Sequence, residues 1–226
     1  NSRATWRSKY VAATPRDSFG LRQPMSEIAQ DHVRLFVACE IPDDVKEAIG
    51  ETIEGLRKKS GPAVRWIKPE GVHVTLKFLG EVPVKKLPAI KLAIQEAVVG
   101  HSPFELEFSN IGTFGGREGL RIMWVGIAGD VLRLEALVRA VNAALAVVGF
   151  EPERRPFRPH LTLGRVRDEI GTRQRAEIEV AVGKTEVPGV SWRTSQVSLM
   201  RSRLGPGGAS YEVLATFPPR VVQPPV

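Results

Sequence analysis

The chain of 226 residues holds a single cysteine, Cys39, so no internal disulfide can form and a metal knot built on paired thiolates is excluded. Such sparse cysteine usage fits a reducing compartment, and cytoplasmic residence is the expectation. Long apolar runs are also missing. The stretch Ala143–Val148 falls far short of the roughly 20 residues that cross a bilayer, so no membrane helix is expected. No Walker or dinucleotide-type glycine loop occurs: Gly115-Gly116 and Gly205-Pro206-Gly207-Gly208 lack the lysine or the strand-to-helix setting and read as turns. A Gly-x-Ser-x-Gly elbow for a serine nucleophile is absent too. Charge excess is small where it matters. Of the net +7, residues 1–24 carry +4, which leaves +3 for the remainder. That balance does not suit a long duplex footprint, but it does suit a local patch facing a small anion or a strand end.

A hydrophobic content of 42% with 25% charged residues describes one globular domain or two small lobes sharing an interface. Residues 1–24 are polar and lack the apolar core of a secretory signal, so a flexible tail or extension is expected over 1–30. A single bilobal domain is expected over 31–219, and the prolines around 218–225 predict an extended tail over 220–226.

Between the tails the hydrophobic period switches repeatedly. Val33–Cys39 reads as a strand running into a helix N-terminus at Pro42-Asp43-Asp44, followed by Val45, Ile49, Ile53 and Leu56 on one helical face. Pro88 opens a second helix that Gly100 closes; Asp130 is expected to cap a third, with a stripe from Val131 to Val148 and Gly149 at its end. Strand-like runs cover 64–67, 72–79, 104–108, 121–127, 161–166, 190–201 and 211–217. Several alternate polar with apolar, as half-exposed antiparallel strands do, so the predicted class is α+β.

Two of the four histidines sit in nearly the same tetrapeptide, His73-Val74-Thr75-Leu76 and His160-Leu161-Thr162-Leu163. Average composition makes that coincidence a chance on the order of 10⁻³, so an internal repeat is the better explanation. On a strand, positions i and i+2 share a face, so each half presents an imidazole beside a hydroxyl while Val74, Leu76, Leu161 and Leu163 face the core. Two imidazoles suit in-line displacement at phosphorus, one taking a proton from the nucleophile and the other giving one to the leaving oxygen, with the threonines donating to non-bridging oxygens. Neither strand adds a carboxylate or thiolate, which makes the pair a poor metal site, and no metal or cofactor is expected. Strict alternation puts Phe78 with Leu76 in the core and Lys77 with His73 and Thr75 on the imidazole face.

These residues resemble the two-histidine phosphoesterase superfamily, and within it the RNA 2',3'-cyclic phosphodiesterase group, also called 2'-5' RNA ligases. The likeness lies in Arg34–Ala38, His73–Gly80 and Arg155–Arg165, within a span of about 33–217. It implies a bilobal, pseudo-twofold α+β fold of two antiparallel-rich sheets flanked by helices, with the cleft between lobes. The implied reaction is metal-independent opening of a ribose 2',3'-cyclic phosphate to a 2'-phosphomonoester, with His73 as acid and His160 as base. Thr75, Thr162 and Arg165 would hold the phosphate. Phe78 and Phe157 are candidates for stacking on a base and Arg158 for a strand phosphate. Alternation alone sets Arg165 opposite His160, so it reaches the site only if the strand bulges near Gly164. The expected partner is a single-stranded RNA end or a cyclic nucleotide, met by a monomer. The alternatives are 2'-5' ligase or phosphodiesterase chemistry at the same site, or a nucleotide-binding module without turnover.

Overall fold

In the computed structural model, residues 31–116, 119–205 and 208–218 are described; the expected tails, 1–30 and 220–226, lie outside them. Strand β1 (His32–Glu40) leads through Pro42 into helix α1 (Asp43–Ser60), which has Asp43 and Asp44 in its first turn, basic residues in its last, and Gly61 at φ +58° beyond it. That charge order complements the helix dipole. Val45, Ile49, Ile53 and Leu56 are buried, as their spacing predicts. The short β2 (Val64–Trp66) precedes β3 (His73–Pro83), and helix α2 (Leu87–Ala97) follows it. A hairpin of β4 (Phe104–Gly116) and β5 (Gly119–Gly129) leads to helix α3 (Val131–Val147), β6 (His160–Val166) and helix α4 (Thr172–Gly183). Strands β7 (Ser191–Thr194), β8 (Val197–Gly205) and β9 (Gly208–Phe217) complete the chain.

Two antiparallel sheets result, one in the order β3-β1-β8-β9 and the other in the order β2-β6-β5-β4-β7. Helices α2 and α3 pack together with contacts to β3 and β9, whereas α1 and α4 pack together with contacts to β2, β4 and β5. The lobes thus exchange helices, since α1 follows a strand of the first sheet and α3 a strand of the second. One apolar cluster joins both helix pairs to the backs of both sheets, through Leu35, Val37, Val74 and Leu76 on one side and Val125, Leu161 and Leu163 on the other. Burial on that scale is the main source of stability. The opposite faces of the sheets are left for the site, and the α+β, two-sheet expectation holds.

Two local expectations are corrected, and one helix lies where none was predicted. The run 190–201 is two strands in different sheets: β7 pairs with β4, the chain breaks at Ser195-Gln196, and β8 pairs with β1. Asp130 precedes α3 without capping it, because its Oδ2 accepts the Glu105 N–H and ties the helix entry to β4. Helix α4 is not predicted by periodicity, since it buries only Ile178, Ala181 and Val182 and its apolar stripe is narrow.

Candidate active site

Strands β3 and β6 carry the two repeated tetrapeptides, and both contain the same irregularity. Against β1, Ala38 pairs with Thr75 and Val37 with Lys77, so Leu76 has no partner. Against β5, Trp124 pairs with Thr162 and Met123 with Gly164, so Leu163 has none. Each extra residue is a bulge one position after the threonine, and it inverts the side-chain alternation beyond it. The residue five positions after each histidine therefore returns to the imidazole face. In the first motif that residue is Phe78, 68% exposed, its ring 5.9 Å from that of Phe36. In the second it is Arg165, exposed as well.

The placement by strict alternation is overturned at Lys77. The bulge turns its side chain inward, where it is 6% exposed and its ammonium donates at 2.7 Å to Asn142 Oδ1 on α3 and at 2.7 Å to the carbonyl of Glu151. Burial lowers its pKa, against the pull of Glu153 and Glu151. Phe78, expected beside Leu76 in the core, is turned out instead.

The imidazoles repeat each other in detail. His73 Nδ1 donates to the carbonyl of Gly71 at 2.7 Å and His160 Nδ1 to that of Arg158 at 2.6 Å, in both cases two residues back. A carbonyl only accepts, so Nδ1 bears the proton and the Nε2 lone pair of each neutral ring stays available. Each ring also meets an aromatic edge: Tyr211 against His73 at 5.0 Å and 82°, Phe114 against His160 at 4.9 Å and 88°. Phe36, 1% exposed, stacks beneath His73 at 4.6 Å. Desolvation pushes His73 down to about 4 and lowers His160 too, both against the opposing effect of the backbone hydrogen bonds. Both are neutral in the free protein at pH 7.

Tyr211 packs against the first motif from the far edge of its sheet. It stands on β9, and its ring fills the space over Gly71, where a Cβ would lie 3.1 Å from Cδ2 and Cε2; any larger residue there would displace the ring or the carbonyl that holds His73. Burial raises its pKa, and the guanidinium groups of Arg165 and Arg34 act on it in the opposite direction. Strands β3 and β6, which carry the two motifs, approach each other where the two sheets meet, so both imidazole faces border one cleft. Among the described residues neither Arg165, Arg34 nor Arg158 is paired with a carboxylate, and neither the Thr75 nor the Thr162 hydroxyl has a protein partner. Arg158 lies over the Phe114 ring, 5.9 Å from its centroid. Phe157 is not brought to this cluster; it packs, partly buried, against the main core.

Phe36, Tyr211, Phe114, Trp124 and Arg34 are the cleft residues that sequence reasoning passed over as site residues. They come from strands remote from the motifs, and only the sheet register assembles them. Across from His73, Glu40 accepts a hydrogen bond from the buried Ser198 hydroxyl, itself 3.4 Å from Thr216 Oγ1. Cys39 is buried and its thiol is pushed up to about 12 by desolvation, which leaves it unreactive. Among the described residues no three His, Cys, Asp or Glu side chains converge as metal ligands, and no helix is long and apolar enough to cross a membrane.

The arrangement offers two proton-transfer nitrogens, two free hydroxyls and unpaired guanidinium groups around one gap, a set matched to an anionic ester in which one bond forms as another breaks. Comparison with known proteins points the same way. The RNA 2',3'-cyclic phosphodiesterases of Methanothermobacter thermautotrophicus and Archaeoglobus fulgidus are each 32% identical to the chain; either alignment spans 82% of this chain, with 98% and 99% of the relative. Among solved structures, TT0787 of Thermus thermophilus superposes with a TM-score of 0.68 at 26% identity, covering 84% of this chain and all of that one. E. coli LigT complexed with 3'-AMP gives 0.64 at 26% identity, covering 85% of this chain and all of the other. The model of the 2'-5' RNA ligase superfamily matches residues 41–206. With its two bulged histidine strands, its bilobal sheets and these relatives along most of its length, the chain belongs to the 2'-5' RNA ligase superfamily.

Proposed function

We propose that the protein is an RNA 2',3'-cyclic phosphodiesterase, which opens the terminal cyclic phosphate of an RNA strand, or a small cyclic nucleotide, to a 2'-phosphomonoester. The observation that carries this reading is the duplicated imidazole geometry, with Nδ1 of both rings tied to a backbone carbonyl and both Nε2 atoms left for proton transfer. Water supplies the oxygen. His160 takes its proton as the P–O bond forms, and His73 gives a proton to O3' as the P–O3' bond breaks. Since desolvation leaves His73 neutral in the free protein, it takes up a proton from solvent as the substrate binds, because a phosphate anion entering the cleft raises the pKa of a neighbouring imidazole. Thr75 and Thr162 donate to the non-bridging oxygens, and Arg165 adds positive charge where the transition state gains negative charge. Phe78 offers an exposed ring to the terminal nucleoside, and Arg158 a cation to the strand. We place the reaction in the cytoplasm, carried out by a monomer.

The test is to incubate the full chain with a short RNA ending in a 2',3'-cyclic phosphate, with excess chelator present, and to identify the end group formed. A 2'-phosphate is expected, and His73→Ala or His160→Ala should lower kcat by about 10² or more with nucleotide affinity largely kept. Failure to open the ring, or retention of activity in both variants, refutes the proposal.

A further inference from the structure

The cleft holds more aromatic surface than one nucleoside covers. Phe78 stands on the His73 side, whereas on the His160 side Trp124 and Phe114 form a second, separate surface. Trp124 lies across the strand from Thr162, on the imidazole face of β5. Its indole is laid flat over the sheet on cleared ground: a Cβ at Gly112 would lie 2.3 Å from Cζ2 and 2.4 Å from Cη2, and one at Gly126 would lie 3.2 Å from Cζ3. Phe114 follows two residues after Gly112, tilted by 33° at 5.0 Å from the indole, and it abuts His160. Both rings are half-buried, and neither belongs to an apolar core cluster, since the neighbours Met123 and Val125 face the other way into the core. The exposed Arg158 overhangs Phe114 and has no carboxylate partner among the described residues.

We propose that the Phe114–Trp124 surface is a second nucleobase subsite, which takes the base one nucleotide upstream of the cyclic phosphate, with Arg158 at the phosphate between the two nucleotides. This rests on the phosphodiesterase reading and narrows it: the substrate is an RNA end of two or more nucleotides, in preference to a cyclic mononucleotide. The direction follows from the chemistry. A 2',3'-cyclic phosphate closes the last ribose of the strand, so the strand continues only on its 5' side, and a second base near His160 has to be the upstream one. Flat rings accept any base, because every base has a π face, so length is recognised and sequence is not. Stacking of one base is worth about 5- to 150-fold.

The experiment compares kcat/KM for adenosine 2',3'-cyclic phosphate with that for the dinucleotide ApA ending in a 2',3'-cyclic phosphate. For the unaltered chain the dinucleotide should be preferred by about 10-fold or more, and Trp124→Leu should bring the ratio to within about 2-fold of one, with Trp124→Phe in between. Arg158→Gln, on an exposed side chain, lowers the ratio several-fold and serves where Trp124→Leu fails to fold. Equal rates on both substrates, or a preference unchanged in the variants, overturns the subsite while leaving the phosphodiesterase reading in place. If neither substrate is opened, the phosphodiesterase reading falls. The subsite then stands or falls on calorimetric affinities for adenosine 2'-monophosphate and for ApA bearing a 2'-phosphate: a dinucleotide preference lost in Trp124→Leu supports it, and equal affinities refute it.

Discussion

Replacing His73 by glutamine should flatten the loss of stability on acidification. Burial holds the His73 imidazole at about 4 against an ordinary value near 6.5, so between those values the unfolded chain binds a proton that the folded chain refuses. Stability is then fully present above pH 6.5, declines as the pH falls through the window, and stops declining from this cause below about 4. The whole span corresponds to a ceiling of about 3 kcal/mol, and because His73 keeps some solvent contact we expect about 1–3 kcal/mol. Urea unfolding at several pH values between 4 and 7.5 measures it by linear extrapolation. His160 and His101 are shifted in the same direction and contribute to both proteins, so the difference in slope isolates His73. The variant should be the less stable protein at pH 7, where Phe36 and Tyr211 lose their ring contacts, and should lose less on going to pH 4. Parallel curves for the two proteins would refute the claim that the ring is held neutral by desolvation.

The bulge in β3 makes a paired prediction. Lys77→Met, which removes the donor to the half-buried Asn142 Oδ1 and to the Glu151 carbonyl, should cost about 1–3 kcal/mol in urea unfolding, whereas Phe78→Ala should cost under about 0.5 kcal/mol, since its ring is largely exposed. Strict alternation demands the reverse order. The pH profile of kcat/KM reports the free enzyme, in which both imidazoles are shifted downward, so its maximum on a cyclic phosphate substrate should lie below pH 6.5. A maximum at pH 7 or above would contradict the neutral resting state of the pair.

What was legible in the sequence is what local periodicity encodes. The helical stripes of α1, α2 and α3 and the duplicated His-x-Thr strands needed only neighbours three, four or two positions apart. The places where reading failed are those decided by pairing with remote strands. Nothing between 190 and 201 reveals that Ser195-Gln196 carries the chain from one sheet to the other, because both halves alternate well enough to pass as one strand. Leu76 and Leu163 look like ordinary core positions, and only the register against β1 and β5 exposes them as extra residues. The condition for Arg165 to reach the site, a bulge near Gly164, is readable from the odd offset; that Phe78 obeys the same condition follows once the repeat is taken to include the bulge. Tyr211 and Phe114 carry no local signal, for an isolated aromatic in an alternating run looks the same whether it lines a core or a cleft.

The duplicated bulge also explains how a symmetric backbone serves an asymmetric reaction. In each motif the fifth residue after the histidine turns to the cleft and the fourth turns to the core, but the side chains differ at both positions. On the first strand the inward residue is Lys77, which has Asn142 and the Glu151 carbonyl as partners; on the second it is Gly164, where a Cβ would lie 2.7 Å from Val64 Cγ1 because β2 packs there. The second motif therefore has no room for the ammonium tether that the first depends on, and the outward residues are free to diverge in turn. Phe78 gives one lobe an apolar ring, while Arg165 gives the other an exposed cation on the imidazole face of its strand. A cyclic phosphate has a nucleoside on one flank and an incoming water on the other, so equivalent residues of unlike chemistry at the two bulges suit that substrate better than a repeated pair of either would.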